Sequence, residues 1–553
     1  MRALNAVVAL AIAFVALVAS DPPTAKAADC GFVLGFAALH DLIPDVVGDC
    51  IADEYHNPQN GDGLQETTGG LLVWRKADNW TAFTDGYRTW INGPYGLQQR
   101  LNAERFDWEA DGSTVPTAVT SSSLIGAQVE GFRDDAGLSQ LEGSGVRWAR
   151  VILPWGPVEP SEDSYDWSSW DRRLAQAPGT EVTVIGVLHV LPEWASEQEL
   201  EPGTDKYYNV RVRPDKLYAY KEFLKQAVRH TLDKGYNVKY WEIFNEVDNQ
   251  RPLKADHLST AYGAHPDMYA ELLKASKEAI TSVDPQAKIV FGGLAMESAI
   301  LADGRVLFNT EFLDQVSAYI ANSGDDASQY FDVAAIHVYP YWYINTWPSA
   351  DGSTPGLVGK VNHARQMMRN HGIDRPLMIT ETSMSVQSPG PDASKQAAFA
   401  VRVFVEGAVV DAPAVIWWPL ADIDIFHFGL LDSSLQPRPS YWATRYLASR
   451  LEGASYLGPT SGLEVVCGKA VGFSFSRPAG NFHLLWGAWT GFTDDEGPVG
   501  GDALVRLPGN RARIVDMLGN DAGTVEGSGG TITLTLTYRP VYVEIEGETA
   551  STP

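Results

Sequence analysis

Cysteine is nearly absent: Cys30, Cys50 and Cys467 are the whole complement of 553 residues. That excludes a scaffold built on many disulfides, and no Cys/His spacing points to a zinc centre. Cys30 and Cys50 are placed to close one short loop in an oxidising compartment, a link worth about 3 kcal/mol. Cys467 is left over and is expected as a buried apolar side chain. Positive charge is also scarce. The 42 Lys and Arg face 69 Asp and Glu, a net charge of −27, and such a surface repels nucleic-acid backbones and anionic membranes. Long apolar runs are missing beyond the N-terminus, so no membrane span is expected in the mature chain. The run Ala6 to Val18, with Arg2 before it and Ala25-Lys26-Ala27 after it, has the layout of a secretory leader covering residues 1–27. Val18-Ala19-Ser20 is the other cleavage option, and a secreted product is expected either way. No cofactor or metal is indicated.

Apolar material is plentiful: 45% hydrophobic residues and 17 Trp suffice for large cores, and the length suits several domains. Residues 28–112 read as a small module of short strands and turns, rich in Gly, Asn and aromatics, with Trp74, Trp80 and Trp90 among them. Those rings either fill a small core or contact cell wall or polysaccharide. Residues 113–123 have the composition of a flexible linker. From 124 to 453 strands alternate with helical patterns. Eight strands are expected: Leu124–Gln128, Val146–Leu153, Val182–His189, Val238–Phe244, Lys288–Leu294, Val333–Tyr339, Leu377–Thr380 and Ala414–Trp418. Most are continuous apolar runs, as parallel strands covered on both faces must be. Leu217, Tyr220, Leu224, Ala227 and Val228, and again Tyr269, Leu272, Leu273 and Ile280, repeat at helical spacing. Eight such units predict a TIM (β/α)8 barrel. A doubly wound sheet is the rival, but no glycine-rich phosphate turn follows the first strand. Residues 454–548 show short strands between Gly, Pro and Asn turns, with strict alternation over Thr531–Thr537, and predict a β-sandwich; 549–553 are a tail.

Catalytic groups of TIM barrels stand at the C-terminal ends of strands. Glu246 in Tyr240-Trp-Glu-Ile-Phe-Asn-Glu246 follows the fourth strand, and Glu381 in Leu377-Met-Ile-Thr-Glu-Thr382 ends the seventh. Cleaving a glycosidic bond takes two carboxyls, one to protonate the leaving oxygen and one to stay ionised and attack the anomeric carbon. A spacing of about 5–5.5 Å gives retention, and one of about 6.5–9.5 Å gives inversion. Two buried carboxylates without such work would be costly. Glu242 lies inside the fourth strand and reads as an interior polar residue.

At these residues the chain resembles the clan A glycoside hydrolases over roughly residues 124–545. The resemblance implies Glu246 as acid/base and Glu381 as nucleophile. It also implies Arg150 in Arg-Val-Ile-Leu-Pro-Trp155 as support for the nucleophile, and His189 and Asn245 as sugar contacts. His337-Val-Tyr339 is similar to the clan's strand-six pair, whose Tyr contacts the nucleophile, and Trp418 would floor the sugar site. Within the clan, Trp418-Pro-Leu-Ala-Asp422, Phe428-Gly-Leu-Leu-Asp432 and Arg438-Pro-Ser-Tyr441 look like family 39, which holds β-xylosidases and α-L-iduronidases. Val247 stands where Pro is common, and the N-terminal module is an addition. Each residue has a plainer reading: Arg150 as a core ion-pair partner, His189 and His337 as satisfied core histidines, and Trp155, Trp194, Tyr341 and Trp342 as loop packing. Of adjacent Trp417 and Trp418, strand alternation lets one face the site, and Trp418 is the choice. The expected function is retaining hydrolysis of an oligo- or polysaccharide. The alternative is a carbohydrate- or cell-wall-binding protein on a hydrolase-like barrel.

Overall fold

The computed structural model describes residues 30–57, 61–76, 80–85, 88–93, 96–101, 124–200, 205–250, 260–297, 306–339, 357–386, 392–423, 427–493 and 497–548. The leader, the linker 113–123, Tyr341, Trp342 and the tail 549–553 lie outside them. The chain divides into two compact units, 1–109 and 110–553.

The first unit is an antiparallel meander of six strands from Tyr55 to Leu101. Its strands alternate, so the sheet has two faces. One face carries Leu72, Phe83 and Trp90 against Phe36, Leu39 and Val47, and the other buries Trp80, Ala82 and Ile91. Trp80 and Trp90 therefore fill the core. Phe36 and Leu39 come from the helix Leu34–Leu42, which the strand-and-turn expectation does not contain. Cys30 and Cys50 form a disulfide across 20 residues.

In the second unit eight parallel strands form the barrel: β1 Ile125–Gln128, β2 Trp148–Pro154, β3 Thr183–His189, β4 Val238–Asn245, β5 Lys288–Gly293, β6 Ala334–Val338, β7 Leu377–Thr382 and β8 Val415–Trp417. They pair in the order β5-β4-β3-β2-β1-β8-β7-β6. Bridges Val290 to Val333 and Leu294 to Ile336 bring β5 to β6. All eight expected strands are found, each within about two residues of its expected bounds. Helices Leu217–Asp233 and Pro266–Val283 follow the two periodic stretches, with the periodic residues buried. No helix among the described residues is long and apolar enough to cross a membrane.

Side chains of a strand alternate faces, and the barrel interior shows it. Ile185, Val290, Ala335, Met378 and Ile416, with Trp148 and Tyr240, make an apolar layer. Two residues further along their strands stand Arg150, Glu242, His337 and Thr380, all buried. The interior thus changes from apolar to polar in one step of the pleat, toward the strands' C-terminal ends.

The C-terminal part of this unit is antiparallel. A six-stranded sheet runs in the order 455–459, 470–477, 480–487, 541–545, 511–516, 521–526, and a three-stranded sheet in the order 464–468, 503–508, 531–536. Leu485, Ile514 and Val543 from one sheet pack on Val505, Leu507, Ile532 and Leu534 from the other. This is the expected sandwich. Cys467 departs from expectation: it lies on 464–468, an exposed edge strand, and is itself exposed. Arg402, on the barrel helix Ala393–Val409, sits 3.9 Å above the Trp489 ring and 5.5 Å from that of Trp486. Tyr446 of helix Pro439–Leu451 meets Tyr542 edge-on at 4.9 Å.

Candidate active site

Two local irregularities aim the acidic side chains. Strict alternation along β4 would turn Phe244 inward and Asn245 outward. Phe244 instead takes φ 66°, a left-handed conformation that costs a residue with a side chain about 1–3 kcal/mol. Its ring packs outside the strands, stacked on Tyr220 at 6.1 Å and near Tyr262 at 6.4 Å. Asn245 then turns inward, where its Oδ1 accepts a hydrogen bond from Arg150 at 2.7 Å. Glu246 follows with φ 45°. On β7 the register against β6 slips by one residue: Ile336 pairs with Ile379, but His337 pairs with Glu381. Thr380 is the extra residue of a bulge, a device that re-aims side chains. Glu381 thereby lies opposite His337 while Thr380 still reaches inward to Glu242 Oε1 at 3.2 Å.

Arg150 is the hub. Its Nε and one terminal nitrogen donate to both oxygens of Glu242 at 2.8 and 3.0 Å. Its other terminal nitrogen donates to Glu381 Oε1 at 2.5 Å and Gln128 Oε1 at 2.6 Å. Burial works against the Arg150 charge, but Glu242 and Glu381 outweigh it and keep the guanidinium protonated. The second oxygen of Glu381 accepts from the Tyr339 hydroxyl at 2.8 Å. Burial, and then the charge of Glu381, hold the Tyr339 phenol well above its ordinary range, so it stays a donor. Burial opposes ionisation of Glu381 too. His337, Arg150 and Tyr339 overcome that, and its carboxyl lies below the usual carboxylate range.

Glu246 meets a different environment. Its Oε1 is 3.2 Å from His337 Nδ1, which also lies 3.5 Å from Glu381 Oε2. Burial disfavours the imidazolium, yet the two glutamates raise the His337 pKa. An oxygen of each glutamate and a nitrogen of His337 all fall within 4.8 Å of one another. Such a His-carboxylate trio is a conceivable metal cradle, but Arg150 and Tyr339 already engage both Glu381 oxygens. His337 fits because Gly293 has no side chain: a Cβ there would sit on His337 Nε2 and lie 2.8 Å from its Cδ2.

Five of the eight expected site residues, besides Glu246 itself, therefore form one connected cluster: Arg150, Asn245, His337, Tyr339 and Glu381. His189 ends β3, buried, its Nδ1 accepting from the Val190 amide at 2.9 Å. Trp418 is half-buried just past β8, edge-on to Phe428 at 5.5 Å, while Trp417 is buried and packs on Phe399 and Phe404 of the outer helix. The two rings thus divide as alternation requires. Trp155 is buried against Trp194, Tyr220 and Phe223, so its role is packing. The loop after β8 is pinned by Asp422, which takes two hydrogen bonds from Arg438 at 2.6 Å and one from the Gly429 amide.

Four further contributors lie outside the expected set. Gln128 ends β1 on the inward register, which was the available signal. Asp248 and the buried pair Lys360–Glu297 had none, since their partners are distant in sequence. Lys360 also donates to the His337 carbonyl at 2.6 Å. Burial pushes Glu297 up to about 9, against the pull of Lys360, and pushes Asp248 up to about 7, against two amide hydrogen bonds.

No family model and no curated protein matches the sequence. Solved structures do match in fold. A family 39 glycoside hydrolase from the gut symbiont Bacteroides cellulosilyticus WH2 superposes with a TM-score of 0.56 at 16% identity, over 89% of this chain and 94% of its own. A monomeric beta-xylosidase from Caulobacter crescentus CB15 gives 0.51 at 16% identity, over 78% and 96%. A family 30 endoxylanase from Clostridium papyrosolvens C71 gives 0.50 at 15% identity, over 76% and 95%. At these identities the likeness is one of fold.

Proposed function

We propose that the chain is a retaining O-glycoside hydrolase with Glu381 as nucleophile and Glu246 as acid/base. The observation that carries this is the pair of facing glutamates within 4.8 Å, one of them gripped by Arg150 and Tyr339. That spacing favours the close arrangement of retaining enzymes over the wider one that leaves room for a water. Glu381, kept ionised, attacks the anomeric carbon while Glu246 protonates the departing oxygen. Glu246 then takes a proton from water, which attacks the same carbon and frees Glu381. The Asn245 oxygen is occupied by Arg150, so its amide NH2 is the end left for the sugar 2-hydroxyl, a contact that strengthens in the transition state. Trp418 offers a ring face to the sugar.

The substrate is an oligo- or polysaccharide. The activities named for the fold relatives make β-xylosides and xylan the first to try. Secretion is supported by the leader-like N-terminus and by the Cys30–Cys50 disulfide, which needs an oxidising compartment. A polysaccharide contact through the N-terminal unit is a separate proposal, tested by comparing retention on insoluble xylan with and without residues 30–101. The deciding experiment is turnover of chromogenic glycosides by the wild type and by Glu381→Ala, with and without azide. Loss of turnover, restored by azide with a glycosyl azide of inverted configuration, is expected. Full activity of Glu381→Ala would refute the assignment. A wild type that binds oligosaccharides without cleaving any would favour the binding-protein reading.

A further inference from the structure

Two residues beyond Glu246, Asp248 is wholly buried and touches no solvent. Its carboxylate spans two consecutive amides just past β5: Oδ1 accepts from Ala295 N at 3.0 Å, and Oδ2 from Met296 N at 2.6 Å. The Asp248 carbonyl accepts from Asn309 N at 2.9 Å. The segments joined in this way are strained. Phe244, Glu246 and Met296 have φ 66°, 45° and 48°, each at a cost of about 1–3 kcal/mol, and such conformations persist only where the surroundings over-determine them. Neutral hydrogen bonds hold the outer side of the segment, from Asn249 N to Glu246 O at 3.0 Å and from Tyr262 N to Val247 O at 3.1 Å. Asp248 adds a two-pronged tie, one side chain accepting from two consecutive amides of the neighbouring loop.

We propose that Asp248 is a positioning residue that fixes Glu246 as the proton donor by tying the loop after β4 to the loop after β5. The inference rests on the acid/base reading of Glu246. Asp248 is buried away from any substrate and acts only through the backbone that carries Glu246. Two acceptor oxygens are essential to the role. Asparagine offers one, and would set an NH2 against the second amide, leaving that N–H unpaired in a dry site.

The test is kcat/KM, which reports the glycosylation step, for methyl, 4-nitrophenyl and 2,4-dinitrophenyl glycosides of whichever sugar the wild type turns over. Asp248→Asn and Glu246→Ala are measured side by side. A displaced proton donor penalises leaving groups that need protonation and spares those that do not, whereas general destabilisation or a misplaced Glu381 lowers all three alike. Asp248→Asn is expected to lose about 30- to 100-fold on the methyl glycoside, a partial loss of the roughly 100- to 10,000-fold that general acid catalysis supplies, and less than about 3-fold on the 2,4-dinitrophenyl glycoside. If Asp248→Asn does not fold by circular dichroism, Asp248→Glu replaces it. That variant keeps both oxygens but sets them one methylene further out, and the same pattern in smaller measure is expected. An equal loss on all three substrates, or none on any, overturns the inference. If Glu246→Ala shows the leaving-group pattern and the Asp248 variant does not, only the positioning role fails. If Glu246→Ala lacks the pattern, the acid/base assignment fails and this inference with it.

Discussion

Replacing Gly293 by alanine adds one methyl group and should strike the proposed chemistry through His337. The new Cβ would rest on His337 Nε2, 2.8 Å from the ring's Cδ2 and 2.9 Å from Glu242 Oε1. Ordinary carbon contacts begin near 3.4 Å. The ring must therefore retreat by more than half an ångström at Cδ2 and further at Nε2, or Glu242 must leave its paired position on Arg150. Neither is free to move, because both are buried and packed interiors transmit such strain. Overpacking of this kind costs about 1–3 kcal/mol of stability. The larger effect is expected in rate. His337 Nδ1 is 3.2 Å from Glu246 and 3.5 Å from Glu381, and a shift of order 1 Å in such a contact lowers activity about 100-fold. The assay is kcat/KM on an aryl glycoside for Gly293→Ala, His337→Ala and the double variant, with melting curves to confirm folding. If the methyl acts through the imidazole, the double variant is no worse than His337→Ala alone, a non-additivity expected of touching residues. A Gly293→Ala enzyme with wild-type kcat/KM, or strictly additive losses, would refute the reasoning.

Three further outcomes follow from the same contacts. Tyr339→Phe removes a hydrogen bond that holds Glu381 ionised; a nucleophile with a depressed pKa is active above that point and lost as pH falls through it, so the acid limb of the pH–rate profile should move to higher pH. Cys50→Ser opens a loop of 20 residues and should destabilise the N-terminal unit by about 3 kcal/mol, read as faster hydrogen exchange over Leu34–Leu42. Arg402→Ala removes the cation over Trp489 and should cost about 2 kcal/mol in chemical denaturation of the larger unit, as expected for a desolvated pair.

The barrel was legible because its strands are buried on both faces and so spell unbroken apolar runs, while its helices repeat every third or fourth residue. The polar layer was partly legible for a similar reason: Arg150 and His337 stand two residues beyond Trp148 and Ala335. What alternation could not supply was the aim of the glutamates. By parity alone Asn245 faces outward, and Thr380, not Glu381, faces in; a left-handed Phe244 and a one-residue bulge reverse both. Asp248 was invisible because its partners, Ala295 and Met296, arrive from nearly fifty residues later. In the sandwich, the strands Glu464–Gly468 and Asp521–Glu526 carry no alternating signal, since neither has a consistently buried face, and Cys467 sits on the first of them. The helix Leu34–Leu42 is too short for its period to stand out among neighbouring turns.

The helix Ala393–Val409 is buried on every side from Gln396 to Gly407. Its Phe399 lies 6.0 Å from Trp417 of β8 and 6.3 Å from Trp489 of the C-terminal sheets. A helix on the rim of a free-standing barrel would show a polar face to water; this one is buried all round, its Gln396, Arg402 and Glu406 included, because other layers of the same unit cover it. The two folds have therefore lost the freedom to be exchanged between proteins as separate cassettes. A fragment ending near residue 453 would uncover Phe399 and Arg402 of that helix, which Trp486 and Trp489 now cover.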